Sequence, residues 1–104
     1  MDRYLIVYRG VPVGSADGPA HDRARWRAWL DGLGAALVDR GALAGGAVEM
    51  PSRLLGPKES TSSLSGYAIV RAADFNAAVA LAASCPVFDE GGSVEVARLD
   101  DSLA

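Results

Sequence analysis

The stretch Ser65 to Leu99, SGYAIVRAADFNAAVALAASCPVFDEGGSVEVARL, reads as a strand, an alanine-rich helix and another strand, and few small folds accept that order. Leu64 to Arg71 carries the apolar run of a strand. Asp74 has the carboxylate suited to a helix N-terminus, and the helix it opens is expected to bury Phe75, Ala78, Val79 and Ala82. Pro86 disfavours helical geometry at Cys85 and ends the element, after which Gly91 and Gly92 turn the chain into a strand over Ser93 to Leu99.

The first half matches it. Arg3 to Arg9 is apolar on both alternating faces, with Tyr4, Ile6 and Tyr8 on one and Leu5 and Val7 on the other, the pattern of a strand covered on both sides. Gly10 to Gly18 reads as a loop, with Asp17 or Gly18 near a cap and Pro19 in the first turn of a helix running to about Arg40. At about 100° per residue, Trp26, Trp29, Leu30, Leu33 and Leu37 share one stripe of that helix. Gly41 is expected as a left-handed cap, Ala42 to Met50 as the second strand, and Pro51 to Ser63 as a hairpin connection.

The order is therefore β-α-β-β-α-β, two βαβ halves in the split arrangement of a ferredoxin-like α+β subunit with an antiparallel sheet. Right-handed crossovers put both helices on one face and leave the other bare. Because the first strand is apolar on both sides, a second copy is the expected cover, giving a homodimer with sheets face to face, a dimeric α/β barrel.

At 104 residues the chain forms a single domain, 1–104, with one core. No apolar run approaches the roughly 18 residues of a spanning helix, and MDRYLIVYRG lacks the features of a secretion signal, so no membrane association is expected. A lone cysteine and a lone histidine fall short of a structural zinc site, so a cytoplasmic protein without metal or cofactor is expected. A formal charge of −3, with Lys58 the only lysine, gives no footprint for nucleic acid. Small-molecule or protein partners remain.

The segments YRG (Tyr8 to Gly10), WxxWL (Trp26 to Leu30), RGxLxGG (Arg40 to Gly46), SGYAIV (Ser65 to Val70) and CPxxxxGGSVEV (Cys85 to Val96) together resemble the YCII-related family, in particular its DGPF branch. The resemblance covers almost the whole chain and implies the same ferredoxin-like subunit and dimeric α/β barrel. The DGPF segment itself is absent, and Leu55 to Ser63 holds the shorter LGPKESTSS. The resemblance also places Trp26 and Cys85 where the other branch carries a proposed His-Asp catalytic dyad; Trp cannot act as a general base, so that chemistry does not carry over.

Trp26 and Trp29 suit the core or the wall of a pocket for a flat ligand, and Tyr8 and Tyr67 add aromatic surface. Arg9 and Arg53 can grip a ligand carboxylate or form exposed ion pairs. Cys85 lacks activating positive neighbours, and His21, near a helix start, reads as a surface residue. Glu49 and Glu95 alternate with apolar neighbours in strands and are the candidate proton acceptors if either faces a dimer cavity. Gly91-Gly92 precedes no helix and is turn chemistry rather than a phosphate loop. Two functions fit: an enzyme binding a small organic ligand at the dimeric barrel, or a noncatalytic module for metabolite sensing or protein interaction.

Overall fold

The computed structural model describes residues 1–10 and 21–103. In chain order it has β1 (Asp2–Arg9), α1 (Arg23–Gly32), β2 (Leu37–Leu43), the short β3 (Val48–Glu49) and β4 (Lys58–Glu59), β5 (Leu64–Ala72), α2 (Phe75–Ala82) and β6 (Ser93–Arg98). Four strands form an antiparallel sheet in the order β2-β5-β1-β6, so the chain is a small α+β protein. The doubly apolar β1 lies inside that sheet, as its sequence requires. No helix among the described residues is long and apolar enough to cross a membrane.

The two faces of the sheet differ. Tyr4, Ile6 and Tyr8 of β1 join Ala68 and Val70 of β5 in one buried cluster with Trp26, Trp29, Ala78 and Ala82 from the two helices. On the opposite face Leu5 pairs across to Ile69 and Ala97, and Val7 to Tyr67 and Glu95. Among the described residues no helix packs on this face. Leu5, Val7 and Ile69 are half-buried, and Tyr67 is exposed.

The first helix is shorter than its apolar stripe suggests. It ends at Gly32; Gly34 turns left-handed at φ 57°, a single 3-10 turn spans Gly34–Ala36, and Leu37 enters β2 opposite Val70. Leu30 and Leu33 pack against the core, whereas Leu37, though it continues their helical spacing, is a half-buried strand residue. The second sheet strand is therefore Leu37–Leu43 and not Ala42 to Met50. Gly41 has the expected positive φ, but as an irregularity inside β2, where a Cβ would overlap the Tyr67 carbonyl oxygen. Val48–Glu49, from the expected second strand, instead pairs with Lys58–Glu59 of the expected connection in a separate two-stranded ribbon. The expected loop Gly10 to Gly18 and the start at Pro19 fall on 11–20, outside the described residues apart from Gly10 itself.

Helix α2 starts as its sequence indicates, with the Asp74 carboxylate accepting from the Ala77 N–H at 2.8 Å. It buries Ala78 and Ala82 but leaves Phe75 and Val79 substantially exposed, correcting the wider apolar face expected of it. Four of its eight residues are alanine, and the two it buries are both alanines. Phe75 packs edge-on against Tyr4, with ring centroids 5.1 Å apart, and carries the Arg98 guanidinium over its other side.

Candidate functional site

One end of the sheet gathers the chemistry. Antiparallel pairing brings the last residues of β1 beside the first of β6, with Tyr8 opposite Val94. Helix α1 begins at that end, capped by the Asp22 side chain on the Arg25 N–H. Cys85 and Pro86, followed by a 3-10 turn over Pro86–Glu90, bring the chain back to the same place, and Gly91 closes the turn at φ 82°.

Here His21 and Glu90 meet. His21 Nδ1 lies 2.6 Å from Glu90 Oε1, and the two side chains are 7% and 12% exposed. The other carboxylate oxygen accepts from the Trp26 indole N–H at 3.0 Å and from the Asp22 backbone N–H at 3.3 Å. With both oxygens engaged, the carboxylate is fixed as an acceptor, so the imidazole presents a protonated Nδ1 to it and turns Nε2 the other way. That Nε2 is buried without a hydrogen-bond partner among the described residues. A carboxylate-held imidazole with a free ring nitrogen is the arrangement of a general base.

Trp26 links this pair to the core. Its ring meets that of His21 edge-on at 5.8 Å and that of Tyr8 at 4.7 Å. The Tyr8 hydroxyl is buried and also lacks a partner among the described residues. Burial, with the Cys85 thiol adding to it, pushes the Tyr8 pKa upward, so the phenol keeps its proton and is available to donate. The Cys85 thiol is itself pushed up to about 12, by burial first and by the negative charge of Glu90 and Asp89, partly opposed by its hydrogen bond with the Val87 backbone. It is a protonated, inert thiol at neutral pH.

A cavity of about 250 Å³ opens beside Tyr8 and Trp26, between α1 and β2, with Arg23, Arg27 and Arg40 on its rim. Among the described residues no group of three His, Cys, Asp or Glu side chains is placed to hold a metal ion.

The residues expected at a site are divided between the faces. Tyr8, Trp26 and Trp29 stand together in the core beneath the helices, and the Trp29 indole N–H donates to the Leu81 carbonyl at 3.3 Å. Arg9, Tyr67 and Glu95 belong to the uncovered face, where Arg9 bonds Glu95 at 2.9 Å and the Ser62 carbonyl at 3.0 Å. Glu49 lies on the small ribbon, accepting from the Thr61 backbone N–H and hydroxyl at 3.2 Å each, with Lys58 at 3.8 Å. Arg53 is exposed in the turn between β3 and β4. None of these four charged residues joins the His21–Glu90 pair.

Sequence reasoning placed His21 on the surface, and the structure buries its side chain. The partners are 69 residues apart, so no local motif announces them. The available signal was topological: in a βαββαβ chain the start of the first helix and the segment before the last strand share one end of the sheet. Comparison with protein-family models gives no match, and no curated protein matches the chain.

Proposed function

We propose that the protein is a homodimeric enzyme performing acid–base chemistry on a small organic molecule, with His21 as the base and Glu90 as the residue that orients it. The observation that carries this reading is the 2.6 Å contact between His21 Nδ1 and Glu90 Oε1 with Nε2 buried and without a partner among the described residues. In the proposed step Nε2 removes a proton from a C–H or O–H acid. Glu90 stabilises the imidazolium that forms, and the Tyr8 hydroxyl donates to the oxygen that gains charge.

The fold part of the proposal is a ferredoxin-like subunit in a dimeric α/β barrel. The strand order β2-β5-β1-β6 is what two interleaved βαβ halves produce, and the resemblance to the YCII-related family points the same way. The helix-free face carries Leu5, Val7, Ile69 and Tyr67 at its centre, with Arg3, Arg9 and Arg71 alongside Asp39 and Glu95 around them. Both charge signs border one apolar centre, so the face is complementary to itself under a twofold axis.

The catalytic proposal is tested without a known substrate. The protein is incubated in D2O with a panel of small enolisable ketones and keto acids, and deuterium uptake at the α-carbon is followed by NMR. Uptake with the wild type, abolished in His21→Ala and reduced in Glu90→Gln, is expected. Equal uptake in wild type and His21→Ala, or none with any compound, would refute the assignment.

A further inference from the structure

We infer that the cavity between α1 and β2 is a binding site for a small organic acid, a carboxylate carried on a flat, benzoate-sized body. The inference rests on the proposed function and names the substrate class for it: Tyr8 and Trp26 line the cavity, and Trp26 packs against His21.

Arg23 and Arg27 are four residues apart on α1, so their guanidinium groups share a helix face, a spacing at which like charges oppose one another. Neither forms an ion pair among the described residues, although the chain carries a net charge of −3. Arg40, in β2, faces the same opening from the strand side and bonds Asp31 at 2.9 Å. Three guanidinium groups around one opening in an acidic protein form a local anion trap, and each presents the planar fork that matches a carboxylate.

The interior of the cavity is different. Trp26 and Leu30 supply an apolar wall, and Tyr8, itself 2% exposed, brings a hydroxyl with no partner among the described residues. A buried donor left unsatisfied is costly, and a ligand oxygen reaching it would remove that cost. The left-handed Gly41 gives the β2 side of the opening a backbone without a side chain. A cationic rim, an apolar wall and one inner donor fit an aromatic or unsaturated acid better than a bare inorganic ion. About 250 Å³ accommodates one ring with its carboxylate. Trp26 then forms a common wall: one edge of its ring donates to Glu90, and the ring also lines the cavity.

The test uses calorimetry and amide NMR with benzoate, its neutral counterpart benzamide and inorganic phosphate as probes. Benzoate is expected to bind with shifts at Arg23 to Leu30 and Arg40 to Leu43, and benzamide at least tenfold more weakly. Arg23→Gln and Arg27→Gln, both at exposed positions, are each expected to weaken benzoate about tenfold without lowering the melting temperature. Affinity should fall as salt rises toward about 0.5 M. Absence of benzoate binding, equal binding of benzamide, binding of phosphate alone, or unchanged affinity in both arginine variants would overturn the proposal. Benzoate binding that meets these expectations in a wild type that exchanges no deuterium would refute the catalytic reading and leave the acid site standing on its own.

Discussion

Removing Glu90 should cost far more than removing its charge. In Glu90→Ala the His21 Nδ1–H loses its 2.6 Å acceptor and the Trp26 indole N–H its 3.0 Å acceptor, while the exposed Asp22 N–H turns to water. A hydrogen bond to a charged group contributes about 1.5–3 kcal/mol, and a buried donor left without an acceptor costs about 1–3 kcal/mol. Trp26 is 4% exposed, so its N–H cannot recover a bond to solvent without disturbing the core. The two ranges together give about 2.5–6 kcal/mol, a large part of the 5–15 kcal/mol that holds a typical domain together. At about 4–8 °C per kcal/mol, the melting temperature should fall by on the order of 20 °C. Glu90→Gln keeps a carbonyl oxygen for one of the two donors and should cost about 1–2 kcal/mol. Thermal melts followed by near-ultraviolet circular dichroism, which reports the two buried tryptophans, measure both variants. Equal melting temperatures for Ala and Gln, both within about 0.5 kcal/mol of wild type, would refute the view of Glu90 as a buried hub.

Alkaline pH gives a second test, because burial pushes the Cys85 thiol up from the ordinary thiol range to about 12. The unfolded chain then loses its proton first, so the contribution is complete below about pH 9 and is lost as pH rises toward 12. Urea titrations between about pH 9 and 10, before the unfolded Tyr8 ionises, should show stability falling with pH in the wild type and a flatter profile in Cys85→Ala; equal slopes would contradict the burial argument. Gly66→Ala should abolish folding, since a Cβ there would overlap the Ala42 carbonyl and lie 2.9 Å from the Tyr8 ring, whereas Gly34→Ala meets nothing and should cost only about 1–2 kcal/mol for its positive φ. Expression yield and melting temperature separate the two, and a well-folded Gly66→Ala would refute the close packing of β5 on β2. Light scattering at low micromolar concentration should give twice the monomer mass for the wild type and the monomer mass for Ile69→Asp, whose position is central on the uncovered face; a monomeric wild type would remove the dimer from the proposed function.

Much of the fold was readable because alternation and capping act locally. The two-sided apolar pattern of Arg3 to Arg9 placed β1 inside the sheet, and Asp74 opened α2 with the expected cap. The error at β2 has a specific cause: Leu37 continues a helical spacing while Gly32 and Gly34, two residues apart, break the helix. Propensity summed over a long stripe hid a stop signal only three residues long. The exposure of Phe75 and Val79 follows from tertiary fit, since α2 rests on alanines and no periodicity states how close a helix lies. The aromatic residues expected at a pocket wall divide between the faces, with Tyr8, Trp26 and Trp29 in the core and Tyr67 exposed on the other side, because alternation along β5 turns Tyr67 away from them. The His21–Glu90 pair was not legible, because a contact across 69 residues depends on which sheet end each segment reaches.

The most direct measurement is the tautomeric state of His21, accessible by nitrogen-15 NMR without mutants because the chain contains a single histidine. At about pH 8, where an ordinary imidazole is neutral, the account predicts a protonated Nδ1 with a downfield proton resonance from its bond to Glu90, and an Nε2 with the chemical shift of an unprotonated ring nitrogen. In Glu90→Gln the downfield resonance should be lost. A histidine protonated on Nε2, or rapidly exchanging between tautomers as a solvent-exposed ring does, would contradict the account.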